Sequence, residues 1–184
     1  MTNDNFHIEY AANRDFINSD EYAQKFKGVT ASDRGDELVA HYARQAVLDN
    51  DGLATEDVYF LNAKNGQLIE HKKLGELGGT LLELSKLKND GMIVVVHNHP
   101  NSIAFSFNDV VTLNDYPEFR TIIAAGHDGT VYFLSIGDGR RLELSDNMEF
   151  GFFDRYWARH CRDYGSRVAL EKISEEMGWR FNVK

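Results

Sequence analysis

The chain predicts an α/β (α+β) fold, a mixed β-sheet with helices packed on it. Three observations carry this. Segments with helical and with strand patterning alternate along the 184 residues. Two pairs of strand-like runs are joined by tight-turn sequences, Ala63-Lys64-Asn65-Gly66 and Gly126-His127-Asp128-Gly129. Between these pairs lies Met92-Ile93-Val94-Val95-Val96, an apolar, β-branched run with the composition of a strand buried on both faces.

In chain order, residues 1–18 are polar and aromatic without a clear period, which predicts an extended arm with a short strand around Phe6–Tyr10. Ser19-Asp20-Glu21 reads as a helix start with acidic residues in its first turn, and Gly28 as its end. A second helix is expected from Asp33 to about Asp49, with Leu38, Tyr42, Ala46 and Leu48 as a partial apolar stripe and Asn50-Asp51-Gly52 as the stop. Glu56–Asn62 and Gln67–His71 form the first hairpin. Leu81, Leu84 and Leu87 predict a helix over Thr80–Lys88, which Asn89-Asp90-Gly91 ends. After the central run, Ser106 to about Leu113 is a helix that breaks before Tyr116-Pro117. Phe119–Ala125 and Val131–Ile136 form the second hairpin, and one or two helices are expected between Ser145 and Met177. No linker-like tract or internal repeat divides the chain, so one domain over 1–184 is expected. It comprises an arm and short helix at 1–32, a core at 33–137 and a helical extension at 138–184.

Composition sets bounds on function. A hydrophobic fraction of 42% is ordinary for a globular domain. The formal net charge of −9, with no basic stripe, weighs against a nucleic-acid partner. One cysteine, Cys161, excludes an internal disulfide and fits a reducing compartment. The start Met1-Thr2-Asn3-Asp4-Asn5 is polar and unlike a signal peptide, and no apolar run approaches the length of a membrane span. A cytoplasmic protein is the expectation.

The chemistry is concentrated where the central run ends, at His97-Asn98-His99-Pro100. Strand side chains alternate, so His97 and His99 share a face and Asn98 takes the other. Two imidazoles at that spacing can converge on one ion at Zn–N distances of about 2.0–2.1 Å. Pro100 has no N–H for a ladder and ends the strand. A loop of five residues, Asn101–Phe105, leads to Ser106-Phe107-Asn108-Asp109. A catalytic zinc site keeps three protein ligands and an open position, and Asp109 is the natural third ligand. Ser106 and Asp109 also match a helix capping box, which is compatible with ligation.

The string His-x-His-Pro, five residues, Ser-x-x-Asp resembles the signature of the JAMM (MPN+) zinc metalloproteases. It is nearest to the bacterial RadC-like proteins and the JAMM-like domains of phage and polymorphic toxins. The loop is one residue shorter than the usual family spacing. The resemblance spans roughly Leu38 to Ile136. It implies a small, curved, cytidine-deaminase-like sheet with one zinc at the end of a central strand, held by His97, His99 and Asp109. It also implies a peptide or protein substrate whose peptide or isopeptide bond is cleaved by a zinc-activated water. The family places its acid–base glutamate at the head of an early strand, which here is Glu56; Glu37 is the runner-up, with Glu70 and Glu83 as weaker competitors. Ser106 would donate to the oxyanion. His127 reads as a turn residue, and Asn98 as one that fixes a neighbouring loop. The alternatives are a non-catalytic module that keeps the fold, and a RadC-like DNA-associated role.

Overall fold

In the computed structural model the described residues are 7–74, 92–141 and 167–184. Helices α1 (Arg14–Ile17), α2 (Asp20–Gln24) and α3 (Asp33–Asp49) precede the hairpin of β1 (Glu56–Asn62) and β2 (Leu68–Leu74). Then come β3 (Ile93–His99), α4 (Phe107–Asp115), β4 (Phe119–Gly126) and β5 (Val131–Ser135). A helix over residues 167–177, α5, leads into β6 (Arg180–Val183). The fold is a mixed α/β arrangement with one open, six-stranded sheet, ordered β2-β1-β3-β4-β5-β6.

The sheet is antiparallel except where β3 runs parallel to β4. A parallel neighbour needs a crossover, and the crossover from β3 to β4 contains α4. This connection returns the chain so that the ends of β3 and β4 coincide, with His99 opposite Gly126. Strand β3 is buried at every position from Ile93 to His99.

Each face of the sheet has its own core. On one, Val58, Phe60, Val95, Ile122 and Leu134 pack with Val110 and Leu113 of α4 and with Leu170, Ile173 and Met177 of α5. On the other, Tyr59, Leu61, Val94, Val96, Ile123 and Phe133 pack with Ile17, Tyr22 and Phe26 and with Val39, Ala43, Ala46 and Val47 of α3. Full burial of such a side chain contributes roughly 1.5–3 kcal/mol, so both layers hold the same sheet.

Several expectations need correction. Residues Ile8–Tyr10 form a 3₁₀ turn rather than a strand. The buried stripe of α3 is Asp36, Val39, Ala40, Ala43, Ala46 and Val47; Leu38, Tyr42 and Leu48 lie on its flank, half-buried. The stripe is phased by Asp36, whose buried carboxylate accepts bonds from Gly28 N–H, Thr30 N–H and the Thr30 hydroxyl and so ties the preceding loop to the helix. Strand β2 runs on to Leu74, three residues past His71. Strand β6 was not anticipated. It is short, alternates between exposed and half-buried, and owes its existence to pairing with β5. The helix expected over Thr80–Lys88 and the segment from Ser145 to residue 166 lie outside the described residues. Among the described residues, no helix is long and apolar enough to cross a membrane.

Candidate metal centre

Strand β3 and helix α4 meet at the open end of the β3–β4 pair. The imidazoles of His97 and His99, 3% and 5% exposed, emerge on the α4 side of the sheet. Their Nε2 atoms are 2.9 Å apart. Asp109 closes the group. Its Oδ1 lies 3.6 Å from His97 Nε2, and its Oδ2 lies 3.6 Å from His99 Nε2. One ligand atom from each of the three falls within 4.8 Å of the others.

The loop that delivers Asp109 is held at many points. Ser102 takes a left-handed conformation, φ 54°, uncommon for a residue with a Cβ. Its N–H donates to His99 O, its hydroxyl oxygen accepts from Asp128 N–H, and its carbonyl accepts from the Tyr132 hydroxyl. Gly126 has no side chain where a Cβ would meet Ser102 Cβ at 3.0 Å, so the loop closes tightly over the end of β4. Phe105, fully buried, lies against both histidine rings and against Tyr132 and Phe181. The turn aims the Ile103 carbonyl at His99 Nδ1, 2.8 Å away. A carbonyl only accepts, so neutral His99 carries its proton on Nδ1 and presents a lone pair from Nε2.

Helix α4 opens on a complete capping box. Ser106 Oγ accepts from Asp109 N–H, and Asp109 Oδ2 accepts from Ser106 N–H at 2.7 Å. The Ser106 hydroxyl also donates to Asp109 Oδ2 at 2.7 Å. Ser106 therefore orients the carboxylate, and its hydroxyl proton is engaged with Asp109.

The electrostatics follow from this crowding. Burial pushes His97 down to about 4, partly opposed by Asp109. Burial works the same way on His99, but the nearby Asp109 carboxylate, the charge of Glu56 and the Ile103 carbonyl outweigh it and raise His99. Burial would raise Asp109, yet the two histidines and the Ser106 hydroxyl hold its carboxyl well below the usual carboxylate range. The result is an ionised carboxylate beside two inward nitrogens, a donor set that suits zinc or a similar cation.

Glu56 heads β1, two residues before Val58, and Val58 pairs with His97. Side chains two apart share a face, so Glu56 belongs to the face that carries the histidines. Burial lifts its carboxyl above the usual range; His99 pulls it partly back, and Asp109 pushes it up. Glu37 and Glu70 lie elsewhere. Glu37 is 70% exposed on α3, across the sheet from the centre, and faces Arg34 at 3.7 Å. Glu70 lies on β2 and pairs with Lys72 at 3.5 Å. Glu83 is outside the described residues.

His127 sits in the turn after β4, as expected, and is buried there, 1% exposed. Its Nδ1 donates to Tyr10 O at 2.6 Å, and its Nε2 lies 3.1 Å from Asn98 Nδ2. Parallel pairing of β3 with β4 brings the turn beside Asn98, and no local pattern in the sequence announces that pairing. On the same face, His71 lies 3.1 Å from the buried Asp57 carboxylate and stacks on Tyr59. Comparison with protein-family models, curated proteins and solved structures returned no match.

Proposed function

We propose that the chain is a zinc-dependent hydrolase of JAMM type that cleaves a peptide or isopeptide bond in a peptide or protein substrate. One observation carries the reading. Three ligand atoms, from His97, His99 and Asp109, converge at the end of a buried strand, on the sheet face that also carries Glu56, whose carboxyl burial raises. One zinc per chain, held there, would lower the pKa of a bound water and polarise a carbonyl. The residues divide the remaining work. Ile103 O and Ser106 fix the orientation of His99 and Asp109. Glu56 accepts a proton from the attacking water and returns it to the leaving amine. The JAMM-specific version of the fold and cytoplasmic residence belong to this reading as well.

Elemental analysis tests the metal. Wild type should carry one zinc per chain, and His97→Ala and His99→Ala should lose it; equal zinc in all three sinks the assignment. Glu56→Gln tests the chemistry against a peptide library. It should retain zinc and lose about 10²–10⁴-fold in rate, roughly 3–5 kcal/mol at the transition state. Zinc-loaded protein that cleaves nothing points to the non-catalytic module. Salt-dependent DNA binding would point to the RadC-like role, against the charge of −9.

A further inference from the structure

Glu56 lies beyond the last residue pair joining β1 to β3, since the register runs from Asn62↔Ile93 to Val58↔His97. On that side, the Asn98 side chain takes over where the strand pairing stops. Asn98 Oδ1 accepts from Asp57 N–H at 2.8 Å, and Nδ2 donates to Thr55 O at 3.0 Å. One amide thus grips the peptide groups immediately before and after Glu56. Asn98 is fully buried, with 0% exposure, between the two histidines of the centre and on the opposite face. Its third contact is His127 Nε2, and His127 is itself anchored on Tyr10 O. With its proton on Nδ1, His127 accepts from Asn98 Nδ2. That contact fixes which end of the amide is oxygen. A flipped amide would present a donor to Asp57 N–H and an acceptor to Thr55 O, losing both bonds.

We propose that Asn98 is the positioning residue for Glu56: its amide, oriented by His127, sets the head of β1 against the strand that carries the metal ligands. The proposal rests on the reading of Glu56 as the proton-transfer group. It assigns to the residue between the two histidines a role exercised through the back of the sheet. Asn98 touches no reacting atom. It converts the fixed position of β3 into a fixed position of the Glu56 backbone, and side chains used in proton transfer must be held to within a fraction of an ångström.

The test uses cobalt(II) in place of zinc, with the side-chain carbons of glutamate isotopically labelled, so that the paramagnetic shift of Glu56 reports its placement relative to the ion. Glu56→Gln assigns the signal. Asn98→Ala should bind cobalt at wild-type stoichiometry, because all three ligands remain, while its Glu56 signal shows a smaller or split shift. A Glu56 shift unchanged from wild type, with cobalt bound, overturns the proposal. Should Asn98→Ala fail to fold, His127→Phe serves instead; it leaves Asn98 in place but unoriented, and the Glu56 shift should again shrink or split. If wild type binds no cobalt, the metal reading falls by itself. Amide exchange in the metal-free protein then decides the present point. In Asn98→Ala, the Asp57 amide should exchange about ten-fold faster while the amides of Val94–Val96 keep their wild-type rates. Equal acceleration along the whole sheet would make Asn98 a general stability residue and overturn the proposal.

Discussion

His127 makes stability depend on pH. Burial lowers it from the ordinary value of 6.5, opposed by the Tyr10 carbonyl and by Asp51 and Asp128, with His99 adding to the lowering. The folded protein therefore favours neutral His127, whereas the unfolded chain takes up its proton near pH 6.5. Between these two pKa values the unfolded state binds more protons, so stability falls as pH falls through that window and is fully present above it. Gln at this position keeps a hydrogen-bonding group and does not titrate. Urea unfolding of His127→Gln from pH 7.5 to 5 should show a shallower loss than wild type; identical slopes would exonerate His127. Ser106 offers a second residue-scale test. If its hydroxyl orients Asp109, Ser106→Ala should weaken zinc binding by about 10–100-fold. If it acts as an oxyanion donor, affinity should hold and turnover should fall. Competition with a metal chelator separates the two outcomes without a substrate.

Among the elements, the N-terminal part of α3 is tightly constrained. Gly35 sits inside the helix, where Ala would normally gain about 1 kcal/mol in helix propensity. A Cβ at Gly35 would lie 2.3 Å from Thr30 Oγ1 and 2.9 Å from the Asn65 backbone, because the β1–β2 turn rests on this point. Gly35→Ala should therefore destabilise, by about 1–3 kcal/mol as overpacking does, and a thermal melt that rises would refute the packing argument. The elements also show what was legible. Strand β3 could be read because Ile93–Val96 are uniformly apolar and β-branched, and helix α4 because Ser106 and Asp109 carry a capping box in plain order. The shared face of His97 and His99 and the link between Ser106 and Asp109 could be read for the same reason: alternation and capping are local rules. The face of α3 was misphased because its stripe is built from Val39, Ala43 and Val47 around a buried aspartate, while its larger side chains lie on the flank. Strand β6 and the place of His127 depend on partners far along the chain, Tyr132–Ser135 for one and Asn98 with Tyr10 for the other. No window of neighbouring residues contains that information.

At the scale of the whole molecule, one sheet is shared by two helical layers, so neither layer can open without exposing the strands. Leu170→Ala on α5 and Val47→Ala on α3 act on opposite faces, and both residues are 0% exposed. Each should destabilise, the leucine by about 2–5 kcal/mol, and the double variant should lose about the sum, as distant sites do. Denaturant unfolding followed by fluorescence and by circular dichroism should stay a single, coincident transition. Two separated transitions would show that the layers unfold independently.

The uniform run of β3 has a consequence for error during folding. Ile-Val-Val-Val offers the same kind of side chain to both faces, so a slip of one residue changes little in that half of the strand. The discrimination falls on His97-Asn98-His99. In the slipped strand both imidazoles would lie under the α3 side of the sheet without partners, and Asn98 would face the α4 side and release Thr55, Asp57 and His127. The residues that assemble the centre thereby act as the proofreading code of the central strand. Replacing His97, Asn98 and His99 together by apolar residues should yield a mixture of registers, visible as doubled amide signals for Val94–Val96, whereas either neighbour pair left polar still holds the register.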